Sequence, residues 1–219
     1  MPERETKFLR RLLRWASVNK RDFPWRKNRT SYRVLIAEQL LRKTTAKQVQ
    51  AVYDQFMKRF PTPEHLARAR PREIERIIRS LGMEKKRSLT LKQFGKAIQT
   101  RFDGKVPQSR DLLLTLPGVG EYAADAVLSL TIRKSAPMVD RNAVRVLSRV
   151  FGLDLSKNYR KAVSETRSFV LPIMSEHSSA KVNFGLLDFA ALVCAARSPK
   201  CHVCPMQGIC DYEIRLKKD

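Results

Sequence analysis

No stretch of the 219 residues stays apolar over the ~18 positions that a membrane span requires. The first residues lack the charged start and apolar block of a secretory signal. Both absences point to a soluble chain inside the cell with no membrane partner. Alternating polar and apolar runs of the kind that make half-buried strands are also missing, as are internal repeats and low-complexity segments. Cysteine is scarce: there are four, and all fall late, at Cys194, Cys201, Cys204 and Cys210. In a reducing compartment so tight a group suggests a metal centre, not disulfides. Acidic residues are outnumbered, 21 against 44 basic, which leaves a net charge of +23. That excess spreads along the whole chain and attracts polyanions, of which nucleic acid is the commonest in a cell.

What is present is helical spacing. "KQVQAVYDQFMKRF" places Val49, Val52, Tyr53, Phe56 and Met57 on one stripe. Ala123, Ala126, Val127 and Leu130 make a second. Val144, Leu147 and Phe151 suggest a third, and Phe184, Leu187, Ala191 and Cys194 a fourth. The breaks are short and turn-like: "RFPTPE", "RARPRE", "FDGKVPQS" and "IRKSAP". The expectation is an all-α protein of about nine or ten short helices.

"SRDLLLTLPGVGEYAADAVLSL" reads as helix, tight turn, helix. Gly118 and Gly120 allow backbone angles, or a close approach, that a Cβ would block. The second helix then begins with free N–H groups and a positive dipole end, where a phosphate sits without help from any side chain. An ordinary helical hairpin needs no such partner; the net charge favours the phosphate reading.

LPGVG, the following helix and an aspartate at Asp140 resemble the helix-hairpin-helix DNA glycosylases. "FPWRKNRTSYRVLIAEQLLRKTTAKQV" resembles the first helices of the adenine and mismatch-thymine members of that family, and the likeness runs from about Phe23 to Cys210. It implies a two-lobed all-α fold, with one lobe over residues 26–134 that includes the hairpin (about 110–130), and a second over 1–25 plus 135–219. Gly118, Val119 and Gly120 become the backbone grip on DNA.

The cysteines follow C-x6-C-x2-C-x5-C. Four thiolates with one tight pair suit zinc or a cubane iron–sulfur cluster, and spacing alone does not separate them. The resemblance implies a [4Fe–4S] cluster on the loop 194–210, with Arg197 and Lys200 facing DNA phosphates. His202 is not required as a ligand.

Three groups are candidates for chemistry. Breaking the bond from base to deoxyribose builds positive charge on the sugar, which a fixed carboxylate stabilises. Asp140, where a helix begins, fits that role and is also a natural N-cap. The resemblance adds Asn142 as its orienting neighbour. Glu38 lies among Val34, Leu35 and Leu41, where desolvation raises a carboxyl pKa and prepares it to serve the departing base. A plain ion pair with Arg42, four residues on, is the alternative. Tyr122 occupies the position where bifunctional members carry a lysine. A phenol cannot form an imine, so water becomes the nucleophile. A tyrosine at the edge of the core would look the same from its spacing.

A base inside a duplex must be flipped out before it is cut. The positions matching the family's wedge residues are Arg42–Lys43 and Met83, although Met83 also suits a core side chain. The resulting expectation is a monofunctional glycosylase acting on double-stranded DNA with G/T or G/U mismatches. It would work as a monomer near the nucleoid and hand an abasic site to an AP endonuclease. A bifunctional oxidised-pyrimidine glycosylase/lyase, an adenine glycosylase and a non-catalytic DNA-binding iron–sulfur protein are the alternatives.

Overall fold

The structure is a computed structural model that describes residues 3–153, 158–175 and 178–216. Among these are α1 (Glu3–Val18), α2 (Pro24–Lys27), α3 (Ser31–Leu41), α4 (Ala46–Arg59), α5 (Pro63–Arg68), α6 (Pro71–Ile78), α7 (Glu84–Phe102), α8 (Arg110–Leu114), α9 (Glu121–Leu130), α10 (Arg141–Phe151), α11 (Tyr159–Ser175), α12 (Ser179–Leu192) and α13 (Asp211–Leu216). Single 3-10 turns lie at Arg79–Leu81 and Cys201–Val203. The described helices outnumber the nine or ten expected, because the proline-containing breaks are themselves helix starts. Pro24, Pro63 and Pro71 open α2, α5 and α6. At a first turn proline sacrifices no hydrogen bond and presets φ.

The chain divides into two compact units, Asp22–Ile132 and Met1–Arg21 with Arg133–Asp219. In the first, α3, α4, α6, α7 and α9 turn their apolar faces onto a common core that includes Leu35, Ile36, Phe56, Ile78, Phe94 and Val127. The stripe read for α4 is the buried one, Val49, Val52, Tyr53, Phe56 and Met57. Thr30, Thr45, Thr62 and Ser109 cap α3, α4, α5 and α8 through their hydroxyls, and Thr45 forms a full capping box with Gln48. Tyr53 sends its hydroxyl to the Arg33 carbonyl, and burial pushes its phenol up to about 12. Helices α5 and α7 meet backbone to backbone at Gly95. A Cβ there would lie 2.8 Å from the Ala67 nitrogen and 2.9 Å from the Pro63 carbonyl.

The second unit packs α1, α10, α11 and α12 around Phe8, Leu12, Leu147, Ile173, Leu186 and Phe189. Here two stripes fall one step from their expected places. In α10 the buried positions are Ala143, Val146, Leu147 and Val150, so Val144 and Phe151 flank the face. In α12 they include Val182, Asn183, Leu186, Asp188, Phe189 and Ala190, while Ala191 is exposed. In α12 the cause is polar residues on the inner side. Asp188 is buried against the Arg21 guanidinium at 2.6 Å, and Asn183 is spent on backbone. Ignoring such residues displaces an apolar stripe. No described helix is long and apolar enough to cross a membrane.

Candidate functional site

In the unit 22–132, the Leu114–Glu121 turn joins α8 to α9. Gly118 has φ +76°, and a Cβ on it would lie 2.7 Å from Gln39 Oε1 and 2.8 Å from Thr90 Cγ2. Glycine is therefore required twice, by backbone angle and by the close approach of α3 and α7. Gly120 is the N-cap of α9 and brings no side chain to it, so the first turn of a ten-residue helix has no internal cap. Val119 differs from its glycine neighbours. Its side chain is buried and its N–H donates to the Leu116 carbonyl, so it shapes the turn from within. Tyr122 follows in the first turn of α9, partly buried, next to the buried run Ala123–Ser129. Glu38 is partly buried in α3 among Val34, Leu35 and Leu40.

The wedge candidates also stand together. Arg42 and Lys43 leave the end of α3, and Met83 precedes α7; all line one cavity with Gln39, Lys86 and Arg87. Met83 is half exposed, so it is no core side chain. Lys43 and Met83 both have φ +55°, the left-handed region that costs a non-glycine residue roughly 1–2 kcal/mol. Arg87 explains how the strain is held. Its guanidinium donates to the carbonyls of Gly82 (3.0 Å), Gln39 (2.9 Å) and Arg42, binding the two strained turns to one side chain. Burial lowers its pKa. Arg42 itself reaches the Gly118 carbonyl at 3.4 Å.

In the other unit, Asp140 caps α10. Its Oδ1 accepts the N–H groups of Asn142 and Ala143, each at 2.9 Å, and its Oδ2 accepts the Asn142 side-chain amide at 2.6 Å. The preceding segment is pinned to α12: Asn183 accepts from Met138 N–H and donates to the Ala136 carbonyl, both at 2.9 Å. The cap and the approach to it are thus fixed separately. Arg145 donates to Asn142 Oδ1 (2.9 Å) and continues to the carbonyls of Ala190 (3.0 Å) and Cys194 (3.1 Å). A single side chain therefore joins the carboxylate's neighbour to the first cysteine.

Cys194, Cys201, Cys204 and Cys210 are unpaired with one another and line one cavity. Burial pushes the Cys201 and Cys210 thiols up, and Cys204 up to about 11. Four thiolates here need the positive charge that iron supplies. Arg149 faces the set, donating to Cys194 Sγ (3.5 Å) and to the carbonyls of Ala195 (2.7 Å) and Ala196 (2.9 Å). Arg197, Lys200 and His202 are exposed. Arg87, Arg145 and Arg149 carried no sequence signal for their longer reach, since each also bonds to groups 45 or more residues away.

Residues 36–171 match the model of the HhH-GPD superfamily of base excision DNA repair proteins, and residues 194–210 match the iron–sulfur binding domain of endonuclease III. The chain is 43% identical over 211 residues to a thymine/uracil-DNA glycosylase of Pyrobaculum aerophilum, covering 94% of this chain and 92% of that one. A thymine/uracil-DNA glycosylase of Methanothermobacter thermautotrophicus is 38% identical over 207 residues, with coverage of 94% and 92%. Among solved structures, that of a thermostable thymine-DNA glycosylase superposes with a TM-score of 0.92 at 35% identity, covering 97% of this chain and 98% of that one.

Proposed function

The chain belongs to the HhH-GPD superfamily of base excision DNA repair proteins, and from that premise we propose that it is a monofunctional DNA glycosylase for thymine or uracil mispaired with guanine. It is an all-α, [4Fe–4S]-bearing DNA glycosylase; the proposal names its mode of cleavage and its substrate. The observation that carries it is Tyr122 in the first turn of α9, where an imine-forming enzyme needs an amine. The relatives named as thymine/uracil-DNA glycosylases support the choice of base.

In this reading Asp140, held by three hydrogen bonds, stabilises the positive charge that grows on the sugar. The glycosidic electron pair leaves with the base, and a water oxygen bonds to the anomeric carbon. The water's proton passes to carboxylate or solvent. Glu38 offers a proton or hydrogen bond to the departing base. Tyr122 contributes a wall and no covalent step. Asn142 holds Asp140 in place, and Arg145 holds Asn142.

DNA is gripped at the uncapped start of α9 through Gly118, Val119 and Gly120, without reference to sequence. Arg197 and Lys200 add phosphate contacts. Lys43 and Met83, with Arg42, fill the gap left by the flipped base; their strained backbone fits such a task. Cys194, Cys201, Cys204 and Cys210 hold the [4Fe–4S] cluster, which supplies a structural staple. The functional lobes are residues 26–134 and 1–25 with 135–219. The protein acts as a monomer at the nucleoid, and an AP endonuclease takes its product.

Labelled duplexes carrying thymine, uracil, oxidised pyrimidines or adenine opposite guanine or oxidised guanine test the proposal. The expected result is excision of thymine and uracil opposite guanine, with strand breaks appearing only after alkali. Borohydride capture of a covalent protein–DNA adduct would overturn the monofunctional mode, and Tyr122→Lys should make such capture possible.

A further inference from the structure

Arg141 carries a positive charge where two features of its surroundings disfavour one. It opens α10, at the end of a helix where aligned N–H groups already concentrate positive charge. It also follows Asp140 directly, and adjacent Cα atoms stand only ~3.8 Å apart. A second cation beside Asp140 opposes the positive charge that grows on the sugar. Asp140 is itself spent on the Asn142 and Ala143 N–H groups and the Asn142 amide. Arg145 and Arg149, further along α10, are partly buried and give their donors to Asn142 and to the carbonyls of the cysteine loop. Arg141 is exposed, and the contact it makes is with a ring. Its guanidinium carbon lies over Tyr159, 5.0 Å from the ring centroid. Tyr159 opens α11 and is 47% exposed, so it adds little to the core. Asn158 secures that end of α11 by accepting the N–H groups of Arg160 (3.0 Å) and Lys161 (3.2 Å). A guanidinium stacked on a ring uses its face and leaves its N–H edge open, the edge that recognises phosphate.

We propose that Arg141, stacked on Tyr159, clamps a phosphate of the target strand beside the nucleotide on which Asp140 acts. The inference rests on the glycosylase reading above. Within a strand every deoxyribose is bonded to a phosphate on each side, so a sugar seated at Asp140 brings one to the next residue. That phosphate neutralises the guanidinium, which removes both objections to a cation at this place. Tyr159 fixes the plane of the guanidinium, so that little side-chain freedom is lost when the phosphate arrives. Tying α10 to α11 needs no charge here, since an apolar side chain over the ring would serve equally well. Arg141 is a positioning residue: it holds the strand and leaves bond cleavage to Asp140.

Binding of the full iron-loaded chain to a duplex with an abasic-site analogue opposite guanine decides the matter, with excision of uracil opposite guanine measured alongside. Two further duplexes replace the phosphates flanking the analogue, one at a time, by uncharged methylphosphonate. Arg141→Gln should bind the unmodified duplex roughly ten-fold more weakly, the low end for a hydrogen bond to a charged group. Its slope of log affinity against log salt should shrink by about 0.9, the share of one phosphate. One of the two methylphosphonates should cost the unmodified chain a similar factor and cost Arg141→Gln nothing further, the mark of a direct pair. Arg141→Lys should recover the slope and only part of the affinity, because an ammonium offers no planar fork. Tyr159→Leu should weaken binding roughly two- to five-fold with the slope unchanged, and Tyr159→Phe should bind like the unmodified chain. Both methylphosphonates weakening the unmodified chain and Arg141→Gln alike would make Arg141 part of a diffuse field and overturn the proposal. Full affinity in Arg141→Gln with a lower melting temperature would make the pair a tie between helices and also overturn it. In either case the glycosylase reading stands as long as uracil is excised. No excision by the unmodified chain overturns both.

Discussion

The turn before α9 and the loop before α13 are both short irregular segments that deliver the chain to a helix, and they are built in opposite ways. Around the first, polar groups remain open. The start of α9 lacks a side-chain cap, the Gln39 amide lacks a partner, and Lys43 and Met83 hold left-handed backbone beside it. Around the second, side chains from distant helices close carbonyl after carbonyl. Arg149 takes Ala195 and Ala196, Arg145 takes Cys194, Arg11 takes Pro205 and Gln207, and Arg4 takes Ile209. A segment that must hold four thiols around a cluster commits its backbone in advance. A segment that must receive a polyanion leaves donors free and accepts strain until the ligand arrives.

The largest effect should come from breaking the closed side. Cys204→Ser removes one of the four thiols, and the loop 194–210 then lacks the centre that its arginines surround. The expected outcome is loss of iron and of hydrogen-exchange protection in residues 1–21 and 133–219, with 22–132 keeping theirs. Unchanged protection in 1–21 and 133–219 without iron would show that the arginines suffice alone. Next in size is Asp140→Asn. Asparagine caps a helix about as well as aspartate, so the melting temperature should scarcely move. Excision should nevertheless slow by roughly 10²–10³, the scale for removing one group aimed at transition-state charge. If rate and stability fell together, the carboxylate would be only a cap.

The same contrast explains what could be read from sequence. Cys194 to Cys210 were legible as a metal centre from their spacing, and as iron–sulfur only through the family resemblance; the turn at Gly118 was legible from its own residues. The α4 stripe was legible because nothing polar interrupts its inner face. The stripe of α12 was read off its buried face, because Asn183 and Asp188 are buried on partners far away in sequence. Arg87, Arg145 and Arg149 escaped notice for a related reason. An arginine in a chain with 44 basic residues carries no mark of which carbonyls it will meet. Gln39 was hidden in the same way, since its setting depends on Gly118, 79 positions onward, and its buried amide Nε2 has no partner among the described residues. The hairpin is legible as a turn from its own residues; the side chains that hold it and its neighbours emerge only once the helices pack.

Arg145 tests whether the two kinds of construction meet in one side chain, since it serves both the cysteine loop and Asn142. Arg145→Met leaves the Asn142 amide without its anchor, and small misplacements of a catalytic group cost up to roughly 10² in rate. A fall of about ten-fold is expected in the chemical step measured at saturating enzyme, with affinity for an abasic-site duplex unchanged and iron content retained. Loss of iron in step with activity would assign Arg145 to the cluster loop alone.

The smallest effect, and the one of opposite sign, belongs to Met83. Its left-handed backbone costs roughly 1–2 kcal/mol, which glycine would recover. Glycine gives back about 0.5–1 kcal/mol through the greater freedom of the unfolded chain. The net is a gain of at most about 1.5 kcal/mol, or a rise of roughly 3–6 °C at most for a chain of this length. Met83→Gly should therefore melt slightly higher and excise more slowly, because the half-exposed thioether is gone from the duplex gap. Met83→Ala separates the two terms, since it loses the side chain and keeps the strain. It should show the same slowing without the gain in stability. If Met83→Gly were more stable and equally active, the strain at this position would have no bearing on DNA, and Arg42 and Lys43 would remain to fill the gap.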